Sequence, residues 1–367
     1  MTEKEAYIAF NLLQNIGSAG VERLIAKHGG IVQAWENVEN KTGRDGKVVN
    51  LEEELEKAAK YRVSILTPVD KEYPKRLLDT RGHPLCLYLK GSVEALQVAS
   101  VAMVGTRRST IYGEDMAYKI ARDLAGDGWC IVSGLALGID GQSHRGALDG
   151  GGLTVGVLGS ALDEFYPEEN RQLARDIAKG NGAVISEFPF GRKPDQASFP
   201  QRNHVVAALA HGVLAVESPI KSGTLITAEI AANLGRTVMA VPGRVDSRTS
   251  AGCLKLIRDG ATLVRNARDV EDALSEFAAF TSRVVAENRQ KAEEESAEPQ
   301  NSRTLAAQFS VEEAIVMRHV TQEGIAVDTL IRLTGLPVAK VNSICMGLRL
   351  KGKLRYFPGN KVALPRQ

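Results

Sequence analysis

At 367 residues the chain can hold two or three domains and a sizeable core. Its 44% apolar and 25% charged residues are those of an ordinary soluble protein, and a formal net charge of +2 means that any nucleic-acid surface has to be a local patch rather than a global field. Cys86, Cys130, Cys253 and Cys345 are far apart with no C-x-x-C, which argues against a zinc ribbon or a disulfide scaffold and fits a reducing cytoplasm; no apolar run nears the roughly 20 residues that span a bilayer, and MTEKEAYIAF has no basic region followed by an apolar core, so neither a membrane-spanning helix nor a signal peptide is expected.

Residues 1–62 are predicted to form a small helical module. Ala6, Ile8, Ala9, Leu12 and Leu13 give one apolar face. Ile16-Gly17, a helix carrying Leu24 and Ile25, and the closing Gly29-Gly30 look like a helix-hairpin-helix (SAM-like) unit. Such a hairpin can present backbone N–H groups to a DNA phosphate, or it can be a packing module that touches no DNA; the residues leave both readings open. Lys41–Lys47 is a polar loop.

Residues 63–280 read as an α/β domain. Val63–Pro68 and Leu85–Lys90 are strand-like and form its entry. Val98–Val104 is a short apolar run that meets Gly105, then the polar turn Thr106-Arg107-Arg108-Ser109; from Gly113 onward Met116, Ala117, Ile120, Ala121 and Leu124 recur at helical spacing. Further strands are predicted at Trp129–Ser133, Leu153–Leu158, Ala183–Ile185, Val213–Val216, Thr237–Val241 and Thr262–Val264, with helical segments between most of them. Strands alternating with helices imply a parallel sheet covered on both faces. Several strands run straight into Gly, Ser or Pro, so their loops should converge on one edge.

Residues 281–308 are polar, charged and short of apolar residues, the composition of a linker. In 309–367, three helices (Val311–Val320, Val327–Thr334, Val338–Leu350) precede a hairpin, Leu354–Phe357 and Lys361–Leu364, turning at Pro358-Gly359-Asn360. That is the order of a winged-helix domain. Lys340, Arg349 and Lys351 suit duplex DNA, while the helix's apolar surface suits a protein partner.

Three loops carry the chemistry. The first, Gly105–Ser109, places two arginines beside a helix start, where backbone N–H groups attract anions; taken alone, the turn reads equally as a solvated loop with two surface arginines. Neither G-x-G-x-x-G nor G-x-x-x-x-G-K-[ST] is present, so phosphate held bidentately by arginine fits better than a dinucleotide or NTP loop. The second, Ser133–His144, has Gly134, Gly138 and Gly141, which would let the backbone approach a ligand. The third combines Phe199–Asn203 (FPQRN) with Glu217–Glu229, where Lys221-Ser222-Gly223-Thr224 opens a helix and can hold phosphate. Together they assemble a cationic strip from Arg107, Arg108, Arg202, Asn203 and Lys221.

SGLALGID with the following His144, YPEEN, SEFPFG, FPQRN, SGTLITA with GR, and PG followed by LIRDGA resemble the DprA (Smf) family of DNA-processing proteins, over about residues 60–265. The helical module and the terminal winged helix fit the same layout. The resemblance implies a Rossmann-like domain that binds single-stranded DNA, forms a homodimer and helps load RecA in natural transformation or recombination, with no cofactor. By position it implies DNA contact by Arg107 and Lys221; the loops themselves add Gly105, Thr106, Arg108, Ser109, Gly134, Arg202, Asn203, Ser222, Gly223 and Thr224 as candidate DNA-contacting residues. Four positions depart from the family pattern: Ala161 and Leu254, expected to be structural adjustments, and Thr224 and His204 in the DNA-contacting loops. Thr224 stands where some members place a stacking aromatic. His204 follows FPQRN where arginine is usual, which removes a permanent charge from the strip and implies a mild pH sensitivity.

Catalysis would need a placed acid or base. Asp140 and His144, four apart near a helix start, could form an acid/base or metal pair or merely brace the loop; the bracing role is the expectation. Asp163, Glu187, Glu217 and Glu229 form no D-x-D or metal-spaced set. The reading is therefore of a non-catalytic, metal-free single-strand binder. The alternatives are a Rossmann-like nucleoside-monophosphate phosphoribohydrolase, whose PGGxGTxxE signature is absent, and a scaffold acting through its winged helix.

Overall fold

In the computed structural model, residues 1–277 are described except 14, 15, 44, 45 and 181, and residues 311–363 except 318, 321–324, 335, 351, 352 and 358–360. The predicted linker at 281–308, the turn Pro358-Gly359-Asn360, Lys351 and the side chain of Arg349 lie outside the described residues. The chain divides into two compact units, Met1–Arg289 and Gln290–Gln367.

The first unit begins with four helices, α1 (Glu3–Leu12), α2 (Ser18–His28), α3 (Ile31–Glu36) and α4 (Leu51–Tyr61). A capping box between Thr2 and Glu5 starts α1, and Gly29, at φ +84°, ends α2 in the left-handed conformation. These helices close no separate core. Ile8, Phe10, Val21 and Trp35 pack in one cluster with Ile65, Leu85, Tyr88 and Phe190 of the α/β part.

That part is a sheet of nine described strands: β1 (Ser64–Leu66), β2 (Leu87–Gly91), β3 (Ser100–Val104), β4 (Cys130–Ser133), β5 (Thr154–Val157), β6 (Ala183–Ser186), β7 (Gly212–Ala215), β8 (Thr237–Ala240) and β9 (Thr262–Leu263). The order is β1-β2-β6-β5-β4-β3-β7-β8-β9. From β6 to β9 every neighbour is parallel, whereas β2 runs antiparallel to β6 and β1 antiparallel to β2. The antiparallel edge qualifies the wholly parallel sheet expected from the sequence, and it is where the N-terminal helices attach.

The intervening helices are α5 (Lys75–Leu78), α6 (Ile111–Gly126), α7 (Ile139–Asp149), α8 (Arg171–Lys179), α9 (Ser198–Leu209), α10 (Gly223–Asn233), α11 (Ala251–Arg258) and α12 (Ala267–Ala273). Side chains of β3 alternate between two cores, as a strand covered on both faces requires. Ala102 and Val104 join the α9 residues Val205–Leu209; Val101 and Met103 join Ala117, Ile120 and Leu124 of α6. From β3 the chain builds outward through β4, β5 and β6, then returns to the other side of β3 with β7. The strand order thus reverses at the β3–β7 crevice, where open α/β sheets bind ligands at their carboxyl edge.

In the second unit, helices Val311–Met317, Val327–Thr334 and Val338–Leu350 pack with a small antiparallel sheet in the order Ile325–Ala326, Lys361–Ala363, Arg355–Phe357. Val316, Leu330, Val341, Leu348 and Val362 form its core. Ile325–Ala326 is a strand that sequence patterning did not show; two residues are too few to carry an alternation.

Among the described residues no helix is long and apolar enough to cross a membrane. The four cysteines are free and buried.

Candidate nucleic-acid interface

A cleft of about 270 Å³ opens at the carboxyl edge, over the strand-order reversal. Gly105, Thr106 and Arg107 line it from the turn after β3, Asp140 from the start of α7, Phe199, Arg202 and Asn203 from α9, and Ser222, Gly223 and Thr224 from the start of α10. A smaller notch beside it is lined by Gly134. The three sequence-predicted loops do meet on one edge. Arg108, Ser109 and Lys221 belong to the same loops but do not line the cleft. Arg108 and Lys221 are exposed, without a carboxylate partner among the described residues; Ser109 donates to Glu114 Oε1 at 2.7 Å.

The turn after β3 is held by its own backbone and by a buried acid. Thr106 N–H donates to Glu217 O at 2.8 Å, and Arg108 N–H to Thr106 Oγ1 at 3.2 Å. Glu217 is 3% exposed and accepts from Thr110 N–H (2.8 Å), Thr110 Oγ1 (2.9 Å) and Thr249 Oγ1 (2.6 Å). The anion expected at the start of α6 is therefore supplied by the protein itself, which corrects the sequence reading of that helix start. The helix start that opens into the cleft belongs to α10. Ser222 caps Leu225 N–H, and the preceding amides of the first turn have no intrahelical acceptor.

Arg107 is exposed and lies over the ring of Phe199, its guanidinium carbon 4.8 Å from the centroid. Arg202 behaves differently. It is 6% exposed, with Nη1 3.6 Å from Asp140 Oδ2. The same carboxylate oxygen accepts from Gly134 N–H (3.2 Å) and Ala136 N–H (3.4 Å). Burial pushes the Asp140 carboxyl up and the Arg202 guanidinium down from their usual ranges, and each partner opposes the other's shift. Arg202 thus braces the loop 133–140 rather than standing free in the strip. A Cβ on Gly134 would lie 1.0 Å from Arg202 Nη1, so this glycine makes room for an arginine of the protein itself. Gly138, at φ +75°, adopts a conformation that side chains rarely take, where the loop 133–140 abuts Thr106.

Asp140 and His144 do not pair. His144 is fully buried, with Nδ1 2.7 Å from Thr154 Oγ1. Thr154 gives its one proton to Ile131 O, so Nδ1 carries the imidazole proton. Desolvation, aided by Arg145 and Arg202, holds the His144 pKa down to about 3. Asp163 accepts from Gly191 N–H, and Glu229 is exposed on α10. Glu187 lines another cavity, between α2 and α9. Among the described residues no three His, Cys, Asp or Glu side chains are placed to hold a metal ion.

His204 also faces that other cavity, with His83, and burial lowers its pKa. The pH sensitivity that the sequence attached to the strip through His204 is thus misplaced: its ring lies on the opposite side of α9. Sequence reasoning passed over Phe199 and Tyr166. The signal was present in FPQRN, where an aromatic stands three residues before a buried cation.

Residues 64–275 match the family described as DNA recombination-mediator protein A, and residues 295–360 match the DprA winged helix domain. The chain is similar to Protein Smf of Escherichia coli strain K12, 34% identical over 302 residues, 82% of this chain and 78% of that protein. It is similar to Protein Smf of Synechocystis sp., 41% identical over 214 residues, 57% of this chain and about half (54%) of that relative. The solved structure of DNA processing protein A from Streptococcus pneumoniae superposes with a TM-score of 0.64 at 33% identity, covering 76% of this chain and 98% of that one. The same protein from Helicobacter pylori, described for its single-stranded DNA binding mode, superposes with a TM-score of 0.53 at 30% identity, covering 59% and 96%.

Proposed function

The chain belongs to the DNA recombination-mediator protein A (DprA/Smf) family, and from that membership we propose that it binds single-stranded DNA along the carboxyl edge of its sheet, without catalysing a reaction on it. The observation that carries the reading is the meeting of Arg107, Asn203 and the open start of α10 in one cleft, flanked by exposed Arg108 and Lys221. These groups supply charge-assisted and backbone donors from several loops, which suits a flexible chain of phosphates. Gly105, Thr106, Ser222, Gly223 and Thr224 line the cleft with backbone and hydroxyl groups, and Ser109 stands beside it, its hydroxyl engaged by Glu114; Gly134 and Arg202 support the site from beneath. The Helicobacter pylori relative, described for binding single strands, supports the same ligand.

Recruitment of RecA, assembly as a homodimer and a cytoplasmic setting are proposed on the family likeness alone, and no residue of the cleft argues for them. The domains are proposed to divide at 1–62, 63–280, 281–308 and 309–367.

The test is oligonucleotide binding at fixed salt. Arg107→Ala and Lys221→Ala should each weaken single-strand binding about tenfold, the loss of one charge-assisted contact, with the thermal unfolding of each variant unchanged. Duplex of the same sequence should bind less tightly. Wild-type affinity in both variants would place the site elsewhere. Release of ribose 5-phosphate from AMP would favour the phosphoribohydrolase reading instead.

A further inference from the structure

We infer that Asn170 is a positioning residue for strand binding: its amide fixes the loop 134–138 and, through that loop, the turn that carries Arg107. The inference rests on the single-strand reading above and adds to it a residue that lies outside the cleft.

Asn170 lines neither the cleft nor the notch beside it. It directly precedes α8, where an asparagine side chain ordinarily caps the first turn, yet it makes no capping bond there. Instead the residue is 2% exposed, and Nδ2 donates to Leu135 O and to Ala136 O, each at 3.0 Å. Arg145 Nη2 donates to Oδ1 at 3.4 Å; a guanidinium only donates, so the amide is set with its NH₂ toward the loop. Both protons of that NH₂ are used. An aspartate would set oxygen against oxygen, and a serine could satisfy one of the two carbonyls.

The loop needs such a clamp. Leu135 has φ +55°, a left-handed conformation that costs any residue other than glycine, and its side chain is fully buried with Leu158, Leu173 and Ile177. The Asp140 carboxylate takes the N–H groups of Gly134 and Ala136, while Asn170 takes the carbonyls of Leu135 and Ala136. Just beyond, the loop presses on the arginine turn. A Cβ on Gly138 would lie 2.5 Å from Thr106 O and 3.0 Å from the Arg107 carbonyl carbon, and Ile139 N–H donates to Thr106 O at 3.3 Å. A rotation of the two carbonyls is thus passed on to the turn.

The experiment measures oligothymidine binding by the full chain in a double-mutant cycle, at fixed salt and well below the unfolding transition. Asn170→Ala should weaken binding about fivefold, the effect of one lost hydrogen bond. With Arg107 already replaced by alanine, the same substitution should weaken it less than about twofold, because the two residues act as a unit. A role in stability alone would lower the urea midpoint and leave both affinities unchanged. Asn170→Ser keeps one donor and guards against a fold defect. In that variant, amide hydrogen exchange followed by mass spectrometry without DNA should quicken at residues 105–110 as well as 134–138, and stay unchanged in β5. Equal losses in the two backgrounds, wild-type affinity in Asn170→Ala, or unchanged exchange at 105–110 overturns the positioning role and leaves the phosphate-binding reading standing. Wild-type affinity in Arg107→Ala overturns that reading instead, and the exchange measurement then still decides whether Asn170 holds the turn.

Discussion

Arg202 and Arg107 were read from the sequence as members of one strip, yet they have opposite surroundings. Arg107 is exposed over an aromatic ring, whereas Arg202 is buried against Asp140 in the space that Gly134 leaves open. Gly134→Ala should therefore act through Arg202. A methyl group 1.0 Å from Nη1 forces the guanidinium off Asp140 and leaves both charges buried and unpaired. The expected cost is about 3 kcal/mol, the range for breaking a buried pair, read as a lower urea midpoint. Arg107→Ala should leave that midpoint unchanged. Local sequence could show that a glycine and an arginine were needed here but not that they were needed for each other, because 68 residues separate them in the chain. His144 makes a prediction of another kind. With a native pKa held to about 3 and an ordinary value of 6.5 when unfolded, it binds its proton only in the unfolded state between those values. His211, lowered to about 4 by burial and by Arg76, does the same. Stability should thus be full above about pH 6.5 and fall as pH drops toward 4, by up to about 1.4 kcal/mol per pH unit for each histidine. In His144→Asn, the slope of unfolding free energy against pH should be shallower in this window.

The start of α6 shows how far an element can be foreseen. Its helical spacing and the strand before it were legible, since a strand buried on both faces is a run of apolar residues and the helix after it repeats every three or four. That Glu217, at a strand end, could accept loop N–H groups was legible too; what lay outside local reading was which helix start it serves. Glu217 comes from the end of another strand and accepts Thr110 N–H, Thr110 Oγ1 and Thr249 Oγ1, tying the arginine turn to two other loops. Glu217→Gln would set an amide NH₂ against groups that now donate. Stability should fall by about 1–3 kcal/mol, the cost of a buried polar group left unsatisfied. Single-strand affinity should fall severalfold, although Glu217 does not line the cleft, because the turn carrying Arg107 and Arg108 loses its anchor. Unfolding curves and oligonucleotide titrations on the same sample separate the two effects, and unchanged affinity would show that the turn is held by other contacts. The antiparallel β1–β2 edge escaped local reading for a similar reason. Strand direction depends on partners far along the chain, here on β6, which lies nearly 100 residues after β2.

For the molecule as a whole, a net charge of +2 constrains how it can hold a polyanion. No global field draws DNA in, so affinity depends on the few cations gathered at the carboxyl edge. The exposed ones there are Arg107, Arg108 and Lys221. Amides at the start of α10 and the side chain of Asn203 add hydrogen bonds but displace no counterions. For single strands the logarithm of the binding constant falls with the logarithm of salt concentration by about 0.7 per neutralised phosphate. Three cations then give a slope of about −2. Arg107→Ala should reduce it by about 0.7, and Asn203→Ala should weaken binding at every salt concentration without changing it. A slope as steep as about −5 would mean that cations outside the cleft take part. The winged-helix unit has a hydrophobic core of its own, as does the first unit. A chain ending at Arg289 should consequently fold and retain a slope of about −2. If the slope becomes much shallower on truncation, the second unit supplies part of the phosphate contact, and the sheet edge alone does not account for binding.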